Sequence, residues 1–199
     1  MNKYVIKKIT GAPREEDWEI ADIAPMNLKP WPEVKDHFNS FAQALYDDNA
    51  IYVRMQSDEM PVVAKLTERN SDICSDSCME FFFCPNEAND IYINFEVNAL
   101  GTILIGAGRE RKNRTICSED RSLFDIKPQL CENGWSVTFK IPFDFIKKYA
   151  GDVTPRMRGN FHKCGRDTGH RHYGVFNMID TPTPDFHRPE CFGELELGK

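Results

Sequence analysis

No apolar run in this chain approaches the roughly 20 residues that span a bilayer. The opening Met1-Asn2-Lys3-Tyr4-Val5-Ile6-Lys7-Lys8 turns charged before a signal peptide's apolar region has room to form. An excess of positive charge is missing as well: 25 Lys and Arg face 31 Asp and Glu among 199 residues, a net charge of −6. General binders of nucleic acid or anionic membrane are usually basic, so neither partner is expected. Disulfide patterning is also lacking, because the seven cysteines are odd in number and irregularly spaced. Free buried thiols suit a reducing compartment, and a cytoplasmic protein is expected; a secreted chain stripped of its leader would look the same. There is no phosphate-cradling glycine loop, no Gly-x-Ser-x-Gly elbow and no Cys-x-x-Cys pair.

What is present reads as strands. Ile51 to Gln56 alternates apolar and polar residues and follows the turn formers Asp47-Asp48-Asn49, which predicts a hairpin with Ser40 to Leu45. Further strands are expected at 79–84, 91–98, 102–105, 124–130, 135–141, 157–163, 173–178 and 194–197. Helix signals are few: Pro142 to Tyr149 suits two turns with proline at the start, and residues 32–45 leave a helix open. Many short strands between turns, with no repeat and no linker, predict one all-β domain over residues 1–199. The expected architecture is an antiparallel β-sandwich of jelly-roll or immunoglobulin-like type, with at most one or two short helices.

Period-two alternation gives three of these strands a polar second face. Ile91, Ile93, Phe95 and Val97 oppose Tyr92, Asn94, Glu96 and Asn98; Met79, Phe81 and Phe83 oppose Glu80 and Phe82; Phe161 opposes Arg158, Asn160 and His162. If the strands are neighbours, Glu, Asn, Arg, His and an aromatic ring share one face. Fixed donors and acceptors beside a ring suit a polyhydroxylated ligand, although an ordinary solvated sandwich face has the same pattern. The basic stretch Arg156 to His172 is either a solvated loop or a site for a ligand carboxylate or phosphate.

Other chemistries have weaker spacing. His162, Cys164, His170 and His172 offer zinc-type ligands without a zinc-site pattern. Asn70, Asp72 and Asp76 offer oxygens without the calcium-loop order. Glu80 and Glu96 share a predicted face and are candidates for a glycosidase pair.

Several segments in order carry a resemblance. Cys78-Met-Glu80-Phe-Phe-Phe, Tyr92 to Thr102, Gly134-Trp135 leading to Ile141-Pro142-Phe143, and Arg158-Gly-Asn160-Phe161 resemble the family 9 carbohydrate-binding modules. His172-Tyr173-Gly-Val-Phe176-Asn177, Pro184-Asp185-Phe186-His187 and Phe192-Gly193-Glu-Leu look like the stand-alone relatives of those modules. The resemblance implies a sandwich of the DOMON type that binds sugar on a concave face, needs no cofactor and often carries structural calcium. Such modules grip the terminal sugar between two tryptophans, whereas this chain reads Val175-Phe176-Asn177-Met178 where many relatives have Ser-Trp-Asn-Pro.

The expected function is therefore non-catalytic binding of a saccharide, with an acidic sugar included. Phe176 and Tyr173 are expected to stack on the ring, Glu80 and Asn177 to bond hydroxyls, and Arg158 to bond a hydroxyl or carboxylate. Glu96 and His172 complete the set through the polar-face pattern. The competing readings are a small glycan-processing enzyme using Glu80 and Glu96, a haem-type relative with Met55, Met178 or His172 as axial ligand, and a scaffold whose sugar site has decayed.

Overall fold

The computed structural model describes residues 1–199. Its strands are β1 (Lys3–Lys8), β2 (Ala24–Pro25), β3 (Ser40–Tyr46), β4 (Ala50–Ser57), β5 (Cys78–Cys84), β6 (Tyr92–Asn98), β7 (Ile103–Gly108), β8 (Thr115–Ile116), β9 (Lys127–Cys131), β10 (Gly134–Pro142), β11 (Arg156–Gly165), β12 (His172–Val175) and β13 (Gly193–Leu197). One helix, α1 (Phe143–Ala150), follows Pro142 as the sequence predicts, and the remaining helical turns are short 3₁₀ segments. No helix is long and apolar enough to cross a membrane.

The strands form the two layers of a β-sandwich joined at one edge. One layer runs β8-β7-β6-β5-β11-β13-β1 with β12 alongside β11, and the other runs β3-β4-β10-β9 with β2 beside β3. β1 belongs to both: Lys3 to Ile6 pair with β13, while Lys7 and Lys8 pair with β3. Both pairings are parallel, a local departure from the antiparallel sheet that the chain otherwise builds. The β3–β4 hairpin has the expected partners, with Ser40 opposite Ser57 and Tyr46 opposite Ile51, and the segment before Ser40 is not helical.

The core lies between the layers and is largely aromatic. Phe81 stacks on Phe83 at 4.7 Å and on Phe161 at 4.6 Å, while Phe95 of β6 stacks across the sandwich on Phe139 of β10 at 5.6 Å. Ring pairs of this kind add to the gain from burying their apolar area.

Two expected strands end differently. The 124–130 strand begins only at Lys127, because Asp120 accepts a bond from the Ser122 amide and winds 121–124 into a 3₁₀ turn. The 173–178 strand stops at Val175. Asn160 Oδ1 accepts the Asn177 amide at 2.8 Å, so a side chain replaces the ladder and draws the segment inward.

At one end of the core sits a buried charge network. Lys163 Nζ lies 2.8 Å from Glu59 Oε2 and 2.8 Å from His172 Nε2, and it donates to the Cys164 carbonyl at 3.0 Å. Trp135 Nε1 and Ser77 Oγ donate to the same Glu59 carboxylate at 2.9 and 2.7 Å. Burial pushes the Glu59 carboxyl up, but the Lys163 charge and the bonds from Lys163 and Ser77 outweigh it and hold the group below its usual range. Burial and the Lys163 charge lower His172 to about 4, so its ring is neutral. Removing one member of such a pair strands the other charge. Lys163→Met is therefore expected to cost roughly 3–5 kcal/mol in urea unfolding, and Glu59→Gln in the same chain to restore part of that loss.

Candidate functional site

β6, β5 and β11 are neighbours, and their register sets the polar residues in rows. Glu96 faces Glu80 across the β5–β6 pair, and Glu80 faces His162 across the β5–β11 pair. Directly opposed side chains on one sheet face lie within contact range. This face is not an open solvated surface. A second apolar cluster, with Trp31, Ile73, Tyr173, Phe186 and Phe192 among its members, covers much of it. Over Glu80 and Glu96 the cover parts into a cleft of about 570 Å³, its mouth included. The walls are Asp72, Cys74 and Arg166 on one side and Arg111, Arg114, Asp185 and His187 on the other, with Tyr173 and Phe186 between.

The floor is a pair of acids that resist ionisation. Burial, then the neighbouring Glu96, push Glu80 well above the ordinary carboxyl range. Burial raises Glu96 to about 7 even though Arg114 and Arg111 oppose the shift. Two like charges removed from water cannot both form cheaply, so a protonated carboxyl stands ready to donate as well as accept. Asn94 Nδ2 donates to Glu96 Oε1 at 3.0 Å.

Arg114 reaches the cleft across two glycines. A β-carbon at Gly106 would fall 2.6 Å from its Cδ and Nε, and one at Gly108 would fall 2.7 Å from its Cα, so side chains there would displace it. Arg114 Nε and Asn94 Oδ1 are buried with no partner. Arg166 is pinned by Asp72 and by Asp167 at 2.9 Å. His187 Nδ1 lies 2.8 Å from the Tyr92 hydroxyl, and burial lowers this ring to about 3. His162 stacks on Phe186 at 4.3 Å, with both ring nitrogens unpartnered, and burial holds it well below its usual range.

The structure gathers Glu80, Glu96 and Tyr173 from the expected set and scatters the rest. Strand alternation sends Tyr173 into the cleft and His172 to the opposite face, onto Lys163. Arg158 stands at the start of β11, away from the cleft, where it donates to the Pro189 carbonyl at 3.2 Å and faces Asp90 at 3.7 Å. The stacking role expected of Phe176 is closed to it. Its ring is 6% exposed and packs edge-on against Tyr4 at 6.2 Å and Phe161 at 6.2 Å, inside the core. Asn177 is buried and ties chain ends together: its Oδ1 accepts the Asn2 amide at 2.6 Å and its carbonyl accepts Asn160 Nδ2 at 2.9 Å.

The arginines Arg111 and Arg114 were missed, although the tract Arg109-Glu-Arg111-Lys-Asn-Arg114 marks a charged loop beside β7. Arg166 lies within the basic stretch, and Phe186 and His187 within the closing motif, but nothing local in the sequence joins them to Glu80.

The metal candidates do not assemble as spaced. His162 and Cys164 face the cleft layer, whereas His172 and His170 face Glu59. Glu59, His170 and His172 do cluster, but the Lys163 ammonium lies between Glu59 and His172 where a cation would go. The calcium candidates do not fit either. Asp76 Oδ2 accepts from the Lys65 and Leu66 amides and from Asn98 Nδ2, each at 2.9 Å, Asp72 is paired with Arg166, and the side-chain Oδ1 of Asn70 accepts from the Ile105 amide at 3.4 Å. The axial-ligand candidates are far apart in kind: Met55 lies in the core and Met178 is exposed.

A cleft on the face of a β-sandwich, floored by acids and walled by arginines and rings, is the architecture of a ligand-binding module. Residues 16–197 match the model of carbohydrate-binding family 9, and the chain belongs to that family. A candidate carbohydrate-binding protein of Bacteroides uniformis shares the fold with a TM-score of 0.86 and 25% identity, over 98% of this chain and 99% of that one. Two structures of a family 9 module from Caldicellulosiruptor kristjanssonii are also similar. The one in complex with cellotriose has a TM-score of 0.67 and 17% identity over 98% of this chain and 93% of its own. The one in complex with glucose has a TM-score of 0.68 and 19% identity over 99% and 96%. No curated protein matches the chain.

The raised Glu96 gives a signed pH dependence. Its folded value of about 7 lies above the ordinary 4.5, so folding stability falls as pH rises through that window and levels off beyond it. Glu96→Gln removes this contribution. The stability of Glu96→Gln relative to wild type, from urea midpoints, is therefore expected to improve between pH 4.5 and 7, by roughly 3 kcal/mol at most.

Proposed function

We propose that this protein binds a saccharide in the cleft over Glu80 and Glu96 and does not cleave it. The observation that carries the reading is the buried Glu80–Glu96 pair, opposed across β5 and β6 at the floor of an arginine-walled cleft, in a chain of carbohydrate-binding family 9. Paired carboxyls donate and accept toward adjacent hydroxyls, Arg111 and Arg114 donate from the wall, and Tyr173 and Phe186 offer apolar edges to C–H groups. The relatives seen with glucose and cellotriose support a sugar ligand. The cleft presents no ring with two free faces: Phe186 carries His162 on one side, and Trp31 stands edge-on to Tyr173. Hydrogen bonding rather than stacking then supplies most of the selectivity.

Both glutamates project the same way from adjacent strands, so they meet one side of a ligand. A glycosidase needs its two carboxyls flanking the scissile bond, and this geometry favours binding. With the floor acids largely protonated below pH 7, the wall guanidiniums leave the cleft positive, which extends the reading to sugars carrying a carboxylate. Affinity for such an acid is expected to fall as pH rises past 7 and Glu96 ionises. Seven free thiols fit a reducing compartment, in keeping with a cytoplasmic site.

Calorimetric titration with glucose, cello-oligosaccharides and uronic acids tests the reading. Saturable binding is expected, weakened about tenfold or more by Arg114→Ala, which loses a charge-assisted bond, and by Glu80→Ala, which removes both donor and acceptor from the floor. Arg158→Ala should leave affinity unchanged, and Phe176→Ala should act on stability by roughly 3–5 kcal/mol. No binding across the panel, or turnover of chromogenic glycosides, would overturn the proposal.

A further inference from the structure

The cleft wall contains two cysteines that saccharide binding leaves without a role. Cys164 lies near the end of β11 with its thiol buried, and Cys74 stands half-buried on the 3₁₀ turn Ile73–Ser75. Cys164 Sγ donates to the Cys74 backbone carbonyl at 3.3 Å, which brings the two residues together. Both line the cleft.

Cys74 has the surroundings of a nucleophile. Its thiol donates to Asp72 Oδ1 at 3.3 Å, and Arg166 Nη1 stands 3.2 Å from the sulfur. Asp72 and Arg166 are themselves paired, and Ser75 donates to Asp72 Oδ2 at 3.0 Å, which fixes the group. A guanidinium beside a partly exposed sulfur is the kind of setting found around reactive cysteines. Cys84 also meets a guanidinium, Arg158 Nη2 at 3.9 Å, but it is buried, and burial pushes its thiol up to about 11, as it does for Cys117. Cys131 is exposed, with no charged partner on its sulfur.

We propose that Cys74 and Cys164 form an oxidisable pair in the cleft wall, which a peroxide converts to a disulfide. The Cys74 thiolate attacks one peroxide oxygen, the O–O bond breaks, and water leaves with the thiol's proton, giving a sulfenic acid at Cys74. Cys164 then attacks that sulfur, the S–O bond breaks and a second water leaves as the S–S bond forms. Two thiols lose two electrons in all, and one hydrogen peroxide is reduced to two waters. Cys164 lies diagonally across the β5–β11 pair from Glu80 and lines the same cleft, so the disulfide alters the wall beside the floor. The consequence for ligand binding rests on the saccharide reading of the cleft, while the pair itself does not.

The test uses the full folded chain, one equivalent of hydrogen peroxide, blocking with N-ethylmaleimide, and peptide mass spectrometry. The expected result is a Cys74–Cys164 cross-linked peptide, with free thiols falling from seven to five and restored by dithiothreitol. Cys164→Ser should leave a Cys74 sulfenic acid that dimedone traps, and Arg166→Ala should slow its formation about tenfold. Circular dichroism checks that each variant is folded, with Cys164→Ala replacing the serine variant if needed. Oxidation of exposed Cys131 ahead of Cys74, or linkage of Cys74 to another thiol, would overturn the pair. Oxidised and reduced wild type are then titrated with the best sugar of the panel. An affinity loss of about fivefold or more supports the coupling to Glu80, and an unchanged affinity beside a confirmed cross-link overturns it. A sugar that fails to bind the reduced protein points instead to a wrong reading of the cleft.

Discussion

The register of β5 against its two neighbours is the constraint on which the rest depends. It places Glu80 between Glu96 and His162, in a row that runs across three strands. A shift of one residue in any of these strands would exchange Phe81, Phe95 and Phe161 for the row and turn acids into the core. The aromatic stacks on one face therefore hold the polar geometry on the other. Packing energy on the inner side and chemistry on the outer side are fixed by the same hydrogen-bond ladder.

The row is chemically unusual because it is buried. An exposed cross-strand Glu–Glu pair would be two solvated carboxylates, screened and unremarkable in function. Here Trp31, Tyr173, Phe186 and their neighbours cover the sheet and leave only a narrow opening, so both acids keep their protons to unusually high pH. The arginines compensate from the rim and not from the floor. This arrangement presents donors and acceptors of both kinds at one point, the requirement for recognising vicinal hydroxyls. The unpartnered Arg114 Nε and Asn94 Oδ1 lie beside the same floor.

The second buried charge group solves a different problem. Lys163 and Glu59 join β11 to the long loop after β4, and Trp135 brings β10 into the same network. Its bonds are saturated by protein groups, with Lys163 meeting Glu59, His172 and the Cys164 carbonyl. It differs in this from the cleft, where polar atoms remain free. Two buried polar clusters, one residue apart along β11, thus divide into a saturated tie and a cleft with free polar atoms because alternate side chains face opposite ways.

The sequence alone determined the strands with strong alternation, the hairpin at Asp47, the helix after Pro142 and the polar faces of β5, β6 and β11. These features are local, set by period two and by turn and proline chemistry. Family membership was legible as well, in motifs that follow one another in order. It also marked Glu80 and Glu96, each set by alternation on its own strand, and Tyr173 through the family motif. Tertiary structure decided the rest. Phe176 and Asn177 look like ligand contacts in the linear motif, but one side chain, Asn160, draws them into the interior. Arg111, Arg114 and His187 reach Glu80 only because separate loops converge over the sheet, and sequence periodicity carries no information about that closure. The parallel docking of β1 depends in the same way on two distant edges meeting, which no window of a few residues can encode.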